Sequence, residues 1–224
     1  MKIRCRSFDE LGDGIPEEFV TQVFGEFATG KTTLCLQLCV SASRQKKQSI
    51  FCDTENGFSP KRLLQMGGEE VLKNVMVLKP RKFKEQTQAV ERIEKMMSEK
   101  IGFVCVDSMV SLYRLEAKDY ESRRELSIEL GKQLLILSRI SKEYKIPVVI
   151  TNQVYEKLDS KDVSPVGGAV LTYWSKLILK LEKLEGLGKR RAIVIRHPYV
   201  SEGESCEFKI AREGIVEISK SKAF

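Results

Sequence analysis

The segment with the clearest chemical meaning is a loop between two glycines that ends in lysine and threonine. Residues 25–32 read GEFATGKT and fit the Walker A pattern G-x-x-x-x-G-K-[ST] at every position. In such a loop, backbone N–H groups and the N-terminus of the following helix bind phosphate oxygens. Lys31 would contact the β- and γ-phosphates, and the Thr32 hydroxyl would bind Mg²⁺. The predicted nucleotide-binding residues of the loop are Gly25, Glu26, Phe27, Ala28, Thr29, Gly30, Lys31, Thr32 and Thr33.

A magnesium ion held by this loop needs a carboxylate, and Asp107 is the candidate. It ends the apolar run FVCVD, which reads as a buried strand. The carboxyl end of such a strand lies at the edge of a parallel sheet where ligands bind, so Asp107 is expected beside the phosphate loop. Ser108 could then hold a metal-bound water. Taken alone, Asp107 could instead cap the next helix, and the phosphate loop favours the metal role.

Hydrolysis also requires a group that activates water, and two residues at other strand ends are candidates. Glu55 follows the run SIFCD, and Asp53 and Glu55 alternate, so only one of the two need face the phosphate. Gln153 comes two residues after the run PVVIT and is suited to sensing the γ-phosphate. The alternatives, solvated turn carboxylates and an ordinary loop amide, stay open on these patterns alone.

The elements that must position these residues alternate between apolar strand-length runs and helical patterns. Near-continuous Val/Ile runs separated by helices predict an α/β fold, with a mainly parallel central sheet and helices on both faces. The predicted strands are 19–24, 49–53, 75–78, 101–107 and 147–151, and the predicted helices are 32–44, 61–66, 84–100 and 120–144. After Gly168, strands without long helices are predicted to add antiparallel edge strands, at 175–183, 190–197, 206–211 and 214–218, with a hairpin turn at 186–188.

Composition limits the class of protein. Of the 224 residues, 42% are hydrophobic and 31% are charged, which excludes disordered and low-complexity classes and, without a linker or repeat, favours one domain over 1–224. The formal net charge of +7 favours an acidic partner such as nucleic acid, although a Lys- and Glu-rich surface is an equal alternative. The start MKIRCRSFDEL lacks an apolar signal region, and no run approaches the length of a membrane span, so a cytoplasmic location is expected. Six cysteines without a CxxC pair indicate reduced thiols rather than a disulfide or zinc framework.

Five separated segments together resemble the ATPase core of the RecA/RadA recombinase superfamily, over essentially the whole chain. They are residues 7–34, 51–63, 103–114, 146–154 and 165–181. The resemblance implies a RecA-like P-loop core that binds ATP and Mg²⁺, and it looks like a core-only paralogue of RadA. It also implies the roles of single residues. Glu55 matches the water-activating glutamate, Gln153 the γ-phosphate-sensing glutamine, and Arg62 an arginine that packs on the adenine ring. The expected catalytic residues are Glu55, Lys31 and Gln153, and the expected metal ligands are Thr32 and Asp107.

DNA contacts are expected on the segment after the metal-binding strand. Basic side chains there would contact phosphate oxygens, and Tyr120 could stack on a base. The basic candidates are Arg114, Lys118, Arg123 and Arg124, of which Arg123 matches a phosphate-contacting arginine of the superfamily. Gly167 and Gly168 match the glycine pair that closes its second DNA loop. The alternative is a solvated helix face interleaved with acidic residues. Residues 189–191 form a second basic group, expected at a hairpin end.

Departures from the superfamily pattern shape the expected function. Residue 1 lies about one strand before the core, so we expect a core without the N-terminal DNA-binding module and linker of the recombinases. The stretch after Gln153 is short and acidic, Glu129 stands where an arginine is expected, and Arg196 stands where an aspartate is expected. We therefore expect an ATP- and DNA-binding accessory protein of recombination and repair, with weak hydrolysis little stimulated by DNA. The expected partners are DNA without strong sequence preference, the RadA-type recombinase and a Holliday-junction nuclease, with a possible homodimer but no stable filament. The alternatives are an active strand-exchange recombinase and, more remotely, a P-loop kinase or signalling ATPase.

Overall fold

The computed structural model describes residues 1–155, 164–165 and 168–218. The described elements alternate between helices and strands up to Tyr155 and are mainly strands after Trp174. The strands are β1 (Val20–Gly25), β2 (Gln48–Asp53), β3 (Val75–Leu78), β4 (Ile101–Asp107), β5 (Val148–Tyr155), β6 (Ser164–Pro165), β7 (Ser175–Lys183), β8 (Lys189–Arg196), β9 (Ser205–Ala211) and β10 (Gly214–Glu217). The helices are α1 (Arg6–Glu10), α2 (Lys31–Arg44), α3 (Pro60–Gly67), α4 (Glu69–Lys73), α5 (Phe83–Met96), α6 (Ser111–Glu116), α7 (Tyr120–Tyr144) and α8 (Gly168–Trp174).

One sheet runs through the molecule in the order β10-β9-β8-β7-β1-β5-β4-β2-β3, and β6 pairs with β5. The strands from β7 to β3 pair in parallel, whereas β8, β9 and β10 add to β7 as antiparallel neighbours. The mainly parallel sheet with an antiparallel C-terminal edge is therefore confirmed.

Side-chain alternation along the central strands builds two separate cores, one on each face of the sheet. In β4, Phe103 and Cys105 join the core that contains Leu34 and Leu38 of α2. Val104 and Val106 point to the opposite core, which contains side chains of α5 and α7. Every residue of β4 is buried, which explains why the run has no polar alternation. Helices on both faces are thus confirmed as well.

Three local expectations differ from the structure. Helix α5 ends at Met96 instead of Lys100, because Met97 is extended and the polar residues after it turn the chain into β4. Helix α8 begins at Gly168, where no helix was predicted, since its apolar sequence lacks a clear period and fits a strand equally well. Strand β5 continues to Tyr155, beyond the predicted end at Thr151, so Gln153 lies within the strand and not after it.

Two further findings concern membranes and thiols. None of the helices in the described part of the chain is long and apolar enough to cross a membrane. All six cysteines lie within the described residues, and each is a buried, free thiol.

Candidate nucleotide site

The phosphate loop connects the end of β1 to the start of α2, at the carboxyl edge of the parallel sheet. Gly25 ends β1, and Gly30 precedes the first residue of the helix with φ of 107°. The positive φ favours glycine at this position, and a Cβ there would also displace Cδ1 of Ile210, which would lie only 2.7 Å away. The N-terminus of α2 therefore opens directly into the loop, which is the arrangement that binds anions.

Lys31 is a buried cation held by the loop itself. Lys31 is 8% exposed, and its Nζ donates to the carbonyl oxygens of Gly25 at 2.8 Å and Glu26 at 2.7 Å. Burial lowers the pKa of Lys31, and the negative charges of Asp107 and Glu55 partly oppose this effect. A buried ammonium that has only carbonyl partners gains from an anionic ligand, because phosphate would compensate its desolvation.

Asp107 lies beside Thr32 and is buried with two hydroxyl partners. Thr32 Oγ1 donates to Asp107 Oδ2 at 2.6 Å, and Thr151 Oγ1 donates to Asp107 Oδ1. Asp107 is 2% exposed, and burial raises its pKa, although the two hydroxyl groups act in the opposite direction. Ser108 Oγ is buried and makes no hydrogen bond to the described residues. A hydroxyl and a carboxylate are the hard oxygen donors that Mg²⁺ prefers, so this pair fits the ion.

Glu55 and Gln153 meet in front of the loop, although β2 and β5 are not neighbours in the sheet. Gln153 Nε2 lies 3.1 Å from Oε1 and 3.0 Å from Oε2 of Glu55 and donates to the carboxylate. The register pairs Gln153 with Gly25, which brings the amide to the start of the phosphate loop.

Asp53 has a different environment from Glu55. It is 1% exposed, accepts from the backbone N–H groups of Gly57 at 2.9 Å and Phe58 at 3.2 Å, and pairs with Lys79 at 3.6 Å. Asp53 thus organises the turn after β2, and Glu55 is the carboxylate that faces the loop.

Most of the predicted nucleotide-binding and catalytic side chains line one cavity of about 350 Å³, which does not include Asp53. Its lining consists of Phe27, Ala28, Gly30, Lys31, Thr32, Thr33, Glu55, Asp107, Gln153, Arg190 and Ile210. The predicted loop residues Gly25, Glu26 and Thr29 are not part of this lining. The carbonyl oxygens of Gly25 and Glu26 accept from Lys31, and Thr29 Oγ1 donates to Glu26 O at 2.9 Å. No group of three or more His, Cys, Asp or Glu side chains able to hold a metal occurs in the described ranges.

Sequence patterns missed two members of the lining, Arg190 and Ile210. Both belong to the antiparallel strands β8 and β9, which are distant in sequence from the phosphate loop. Their place follows from strand pairing: Gly25 pairs with Leu181 in β7, and Lys183 pairs with Arg190 in β8.

Arg62 lies on α3, outside the cavity lining. Its Nη2 donates to Ala211 O at 2.5 Å and its Nη1 to Arg212 O at 2.8 Å, at the turn between β9 and β10. These two carbonyl groups hold the guanidinium against the C-terminal strands, so a contact with an adenine ring stays a prediction.

The predicted DNA-contacting residues gather around the junction of α6 and α7. Arg114, Lys118, Arg123 and Arg124 are exposed there, and Tyr120 is 85% exposed. Gly168 begins α8, and Gly167 lies outside the described residues.

The second basic group, residues 189–191, lies at the hairpin end, directly after the turn. The turn lies at 184–188, and the three residues begin β8, where side chains alternate between faces. Arg190 therefore reaches the carbonyl of Ala28 in the phosphate loop, whereas Arg191 pairs with Glu207 at 2.7 Å.

Comparisons with known proteins agree with this fold. The Rad51 family model matches residues 1–218. The DNA repair and recombination protein RadB of Methanococcoides burtonii is 40% identical over 215 residues, which are 94% of this chain and 95% of that protein. RadB of Thermococcus gammatolerans is 38% identical over 221 residues, covering 96% of this chain and 97% of that one.

A solved structure described as "Crystal structure of the RadB recombinase" superposes with a TM-score of 0.86. It is 36% identical and covers 97% of this chain and 99% of its own. The RecA-like ATPase fold that these proteins share generally binds ATP with Mg²⁺. The resemblance carried by the five sequence segments is therefore confirmed, and the chain belongs to the Rad51 family of recombination and repair proteins.

Proposed function

We propose that this chain is an ATP- and DNA-binding accessory protein of homologous recombination and DNA repair. Its own ATP hydrolysis is weak and little stimulated by DNA, and it acts with a RadA-type recombinase or a Holliday-junction nuclease. One observation carries the nucleotide part of the proposal. Lys31, Thr32, Asp107, Glu55 and Gln153 come from four separate segments of one chain and line a single cavity.

Nucleotide binding uses the loop, the helix N-terminus and two oxygen ligands. The N–H groups of the loop and the Lys31 ammonium would bind phosphate oxygens, because both carry positive charge beside the cavity. Thr32 and Asp107 would hold Mg²⁺, which neutralises the charge of the phosphates. Asp107 takes this role in its ionised form, which the two hydroxyl donors stabilise.

Slow turnover follows from the contact between Glu55 and Gln153. Glu55 would accept a proton from the attacking water, and that requires a free carboxylate oxygen within hydrogen-bond reach of the water. The amide of Gln153 faces both oxygens, at 3.0 and 3.1 Å. Because the amide occupies an acceptor site on the carboxylate, it competes with the attacking water for Glu55, and this competition would slow water activation.

DNA binding rests on the exposed basic residues at the junction of α6 and α7. Arg114, Lys118, Arg123 and Arg124 would contact backbone phosphates, so binding should be independent of sequence and should weaken as salt rises. The junction follows β4, which also carries Asp107, so this surface begins at the edge of the sheet that holds the nucleotide site.

The test is steady-state ATP hydrolysis with and without single-stranded DNA, measured with nucleotide and DNA binding on the same preparation. We expect Mg²⁺-dependent ATP binding, salt-sensitive DNA binding, and slow turnover that changes less than about twofold when DNA is added. Strong stimulation by DNA, together with nucleoprotein filaments, would instead support an active strand-exchange recombinase. Failure to bind ATP would reject the proposal altogether.

A further inference from the structure

Arg190 belongs to the C-terminal strands and yet lies on the phosphate loop. Strand β7 runs parallel to β1, so the two strands end at the same edge of the sheet. Strand β8 runs antiparallel to β7 and therefore begins at that edge, where Arg190 pairs with Lys183. The arginine thus reaches the loop because of strand pairing, and the same pairing fixes its position.

The guanidinium makes three hydrogen bonds to the described residues. Nε and Nη2 donate to Ala28 O at 3.2 and 2.9 Å, and Nη1 donates to Lys189 O at 2.7 Å. A guanidinium carries five N–H groups, so two remain for another acceptor. Arg190 is half-buried and lines the same cavity as Lys31 and Thr32.

The charge of Arg190 has no acidic partner within the part of the chain that the structure describes. No carboxylate there forms an ion pair with it, whereas the neighbouring Arg191 pairs with Glu207 at 2.7 Å. Lys183 lies opposite Arg190 in β7, and its charge contributes to the lowered pKa of Lys31. Lys31, Lys183 and Arg190 therefore place three positive charges near one loop, and the negative charges of a polyphosphate would compensate them. The paired N–H donors of arginine match the oxygens of a phosphate group.

We propose that Arg190 is a nucleotide-binding residue: its guanidinium contacts the polyphosphate of bound ATP while it holds the Ala28 carbonyl. This inference rests on the proposed function, since it needs ATP in the cavity. It assigns to the antiparallel strands a direct part in nucleotide binding. A second cation for the phosphates then comes from the same chain.

Three substitutions separate a charge contact from support of the loop. Arg190→Gln keeps N–H donors for the Ala28 carbonyl and removes the charge, and Arg190→Lys keeps the charge and loses the paired donors. Arg191→Ala is the matched control, because it removes one positive charge from the adjacent position on the other face of β8. The measurement is the dissociation constant of Mg·ATP for each variant and for the wild type, at low and at physiological salt, with the melting temperature without nucleotide.

We expect Arg190→Gln to weaken ATP binding about tenfold, the scale of one charge-assisted hydrogen bond, and Arg190→Lys to weaken it less. The loss should be greater at low salt, where a charge contact is least screened, and Arg191→Ala should stay within about twofold of the wild type. The inference is overturned if Arg190→Gln binds ATP like the wild type, if it loses no more than Arg190→Lys, or if Arg191→Ala loses as much. Wild-type protein that does not bind ATP would reject the proposed function instead.

Discussion

Gln153 Nε2 donates to the carboxylate of Glu55, with distances of 3.1 and 3.0 Å to its two oxygens. Glu55 follows β2, and Gln153 lies near the end of β5. These two strands are separated in the sheet by β4, which carries Asp107. The contact therefore spans the edge of the sheet where Asp107, the carboxylate expected to bind Mg²⁺, is located. It joins the group expected to activate water to the group expected to sense the γ-phosphate, so a change at either one reaches the other.

The first prediction concerns Glu55. Glu55→Gln should leave ATP affinity within about twofold of the wild type and lower residual hydrolysis by at least about tenfold, because the amide cannot accept a proton from water. Turnover in a single-turnover assay and ATP affinity by titration check this.

Asp53→Asn is the contrasting variant for Glu55. It should lower the melting temperature, because Asp53 is buried and its carboxylate accepts hydrogen bonds from two backbone N–H groups. Unchanged turnover in Glu55→Gln would show that another group activates the water.

A second prediction concerns the hydroxyl of Thr32. Thr32→Val removes a Mg²⁺ ligand and a donor to Asp107 without a large change of shape, so Mg²⁺ should no longer strengthen ATP binding. Thr32→Ser keeps the hydroxyl and should retain most of the effect of Mg²⁺. Titrations of ATP with and without Mg²⁺ make the comparison, and equal Mg²⁺ dependence in Thr32→Val and the wild type would contradict the assignment.

A third prediction concerns the pH dependence of stability at Asp107. Burial raises the pKa of Asp107 above its usual value, so the ionised form costs stability in the protein without ligand. Neutral Asp107 is favoured in the folded protein, and this stabilisation is fully present below the ordinary pKa of 3.8. It is lost as the pH rises through the raised pKa and Asp107 ionises. Asp107→Asn removes the titration, so it should raise the melting temperature at pH 7 and gain progressively less as the pH falls towards 4.

The same variant should lose Mg²⁺-dependent ATP binding, because a neutral amide is a poor ligand for Mg²⁺. Thermal melts between pH 4 and 7, recorded without nucleotide, give the stability difference at each pH. A gain that is constant over this range, or that grows as the pH falls, would contradict the raised pKa.

Local sequence patterns were sufficient for the centre of the fold and for the phosphate loop. The loop pattern and the buried runs before and after it depend on neighbours in the sequence, so Lys31, Thr32 and Asp107 were placed at one sheet edge in advance. The choice of Glu55 over Asp53 depended on the resemblance to the superfamily, because strand alternation alone allows either one to face the loop. The structure decides it through the contacts of Asp53 with the turn and Lys79.

The C-terminal contribution to the site was not predictable from local patterns. Arg190 and Ile210 reach the loop only because β8 and β9 pair antiparallel to β7, and that register depends on contacts far apart in sequence. The hairpin turn did contain a signal. Counting outwards in both directions from the turn at Gly186 and Gly188 pairs Arg190 with Lys183, which lies two residues after Leu181. The alternation of Arg190 and Arg191 then assigns opposite faces to the two arginines.

The most direct test of a nucleotide site built within this chain is an equilibrium titration of Mg·ATP against the wild type and Lys31→Ala. Lys132→Ala is the control, because Lys132 lies on α7 and pairs with Glu129 at 3.1 Å. We predict one ATP per chain for the wild type and for Lys132→Ala, and a loss of at least about tenfold in affinity for Lys31→Ala, which removes the buried cation from the loop. Equal affinity of Lys31→Ala and the wild type would contradict the account.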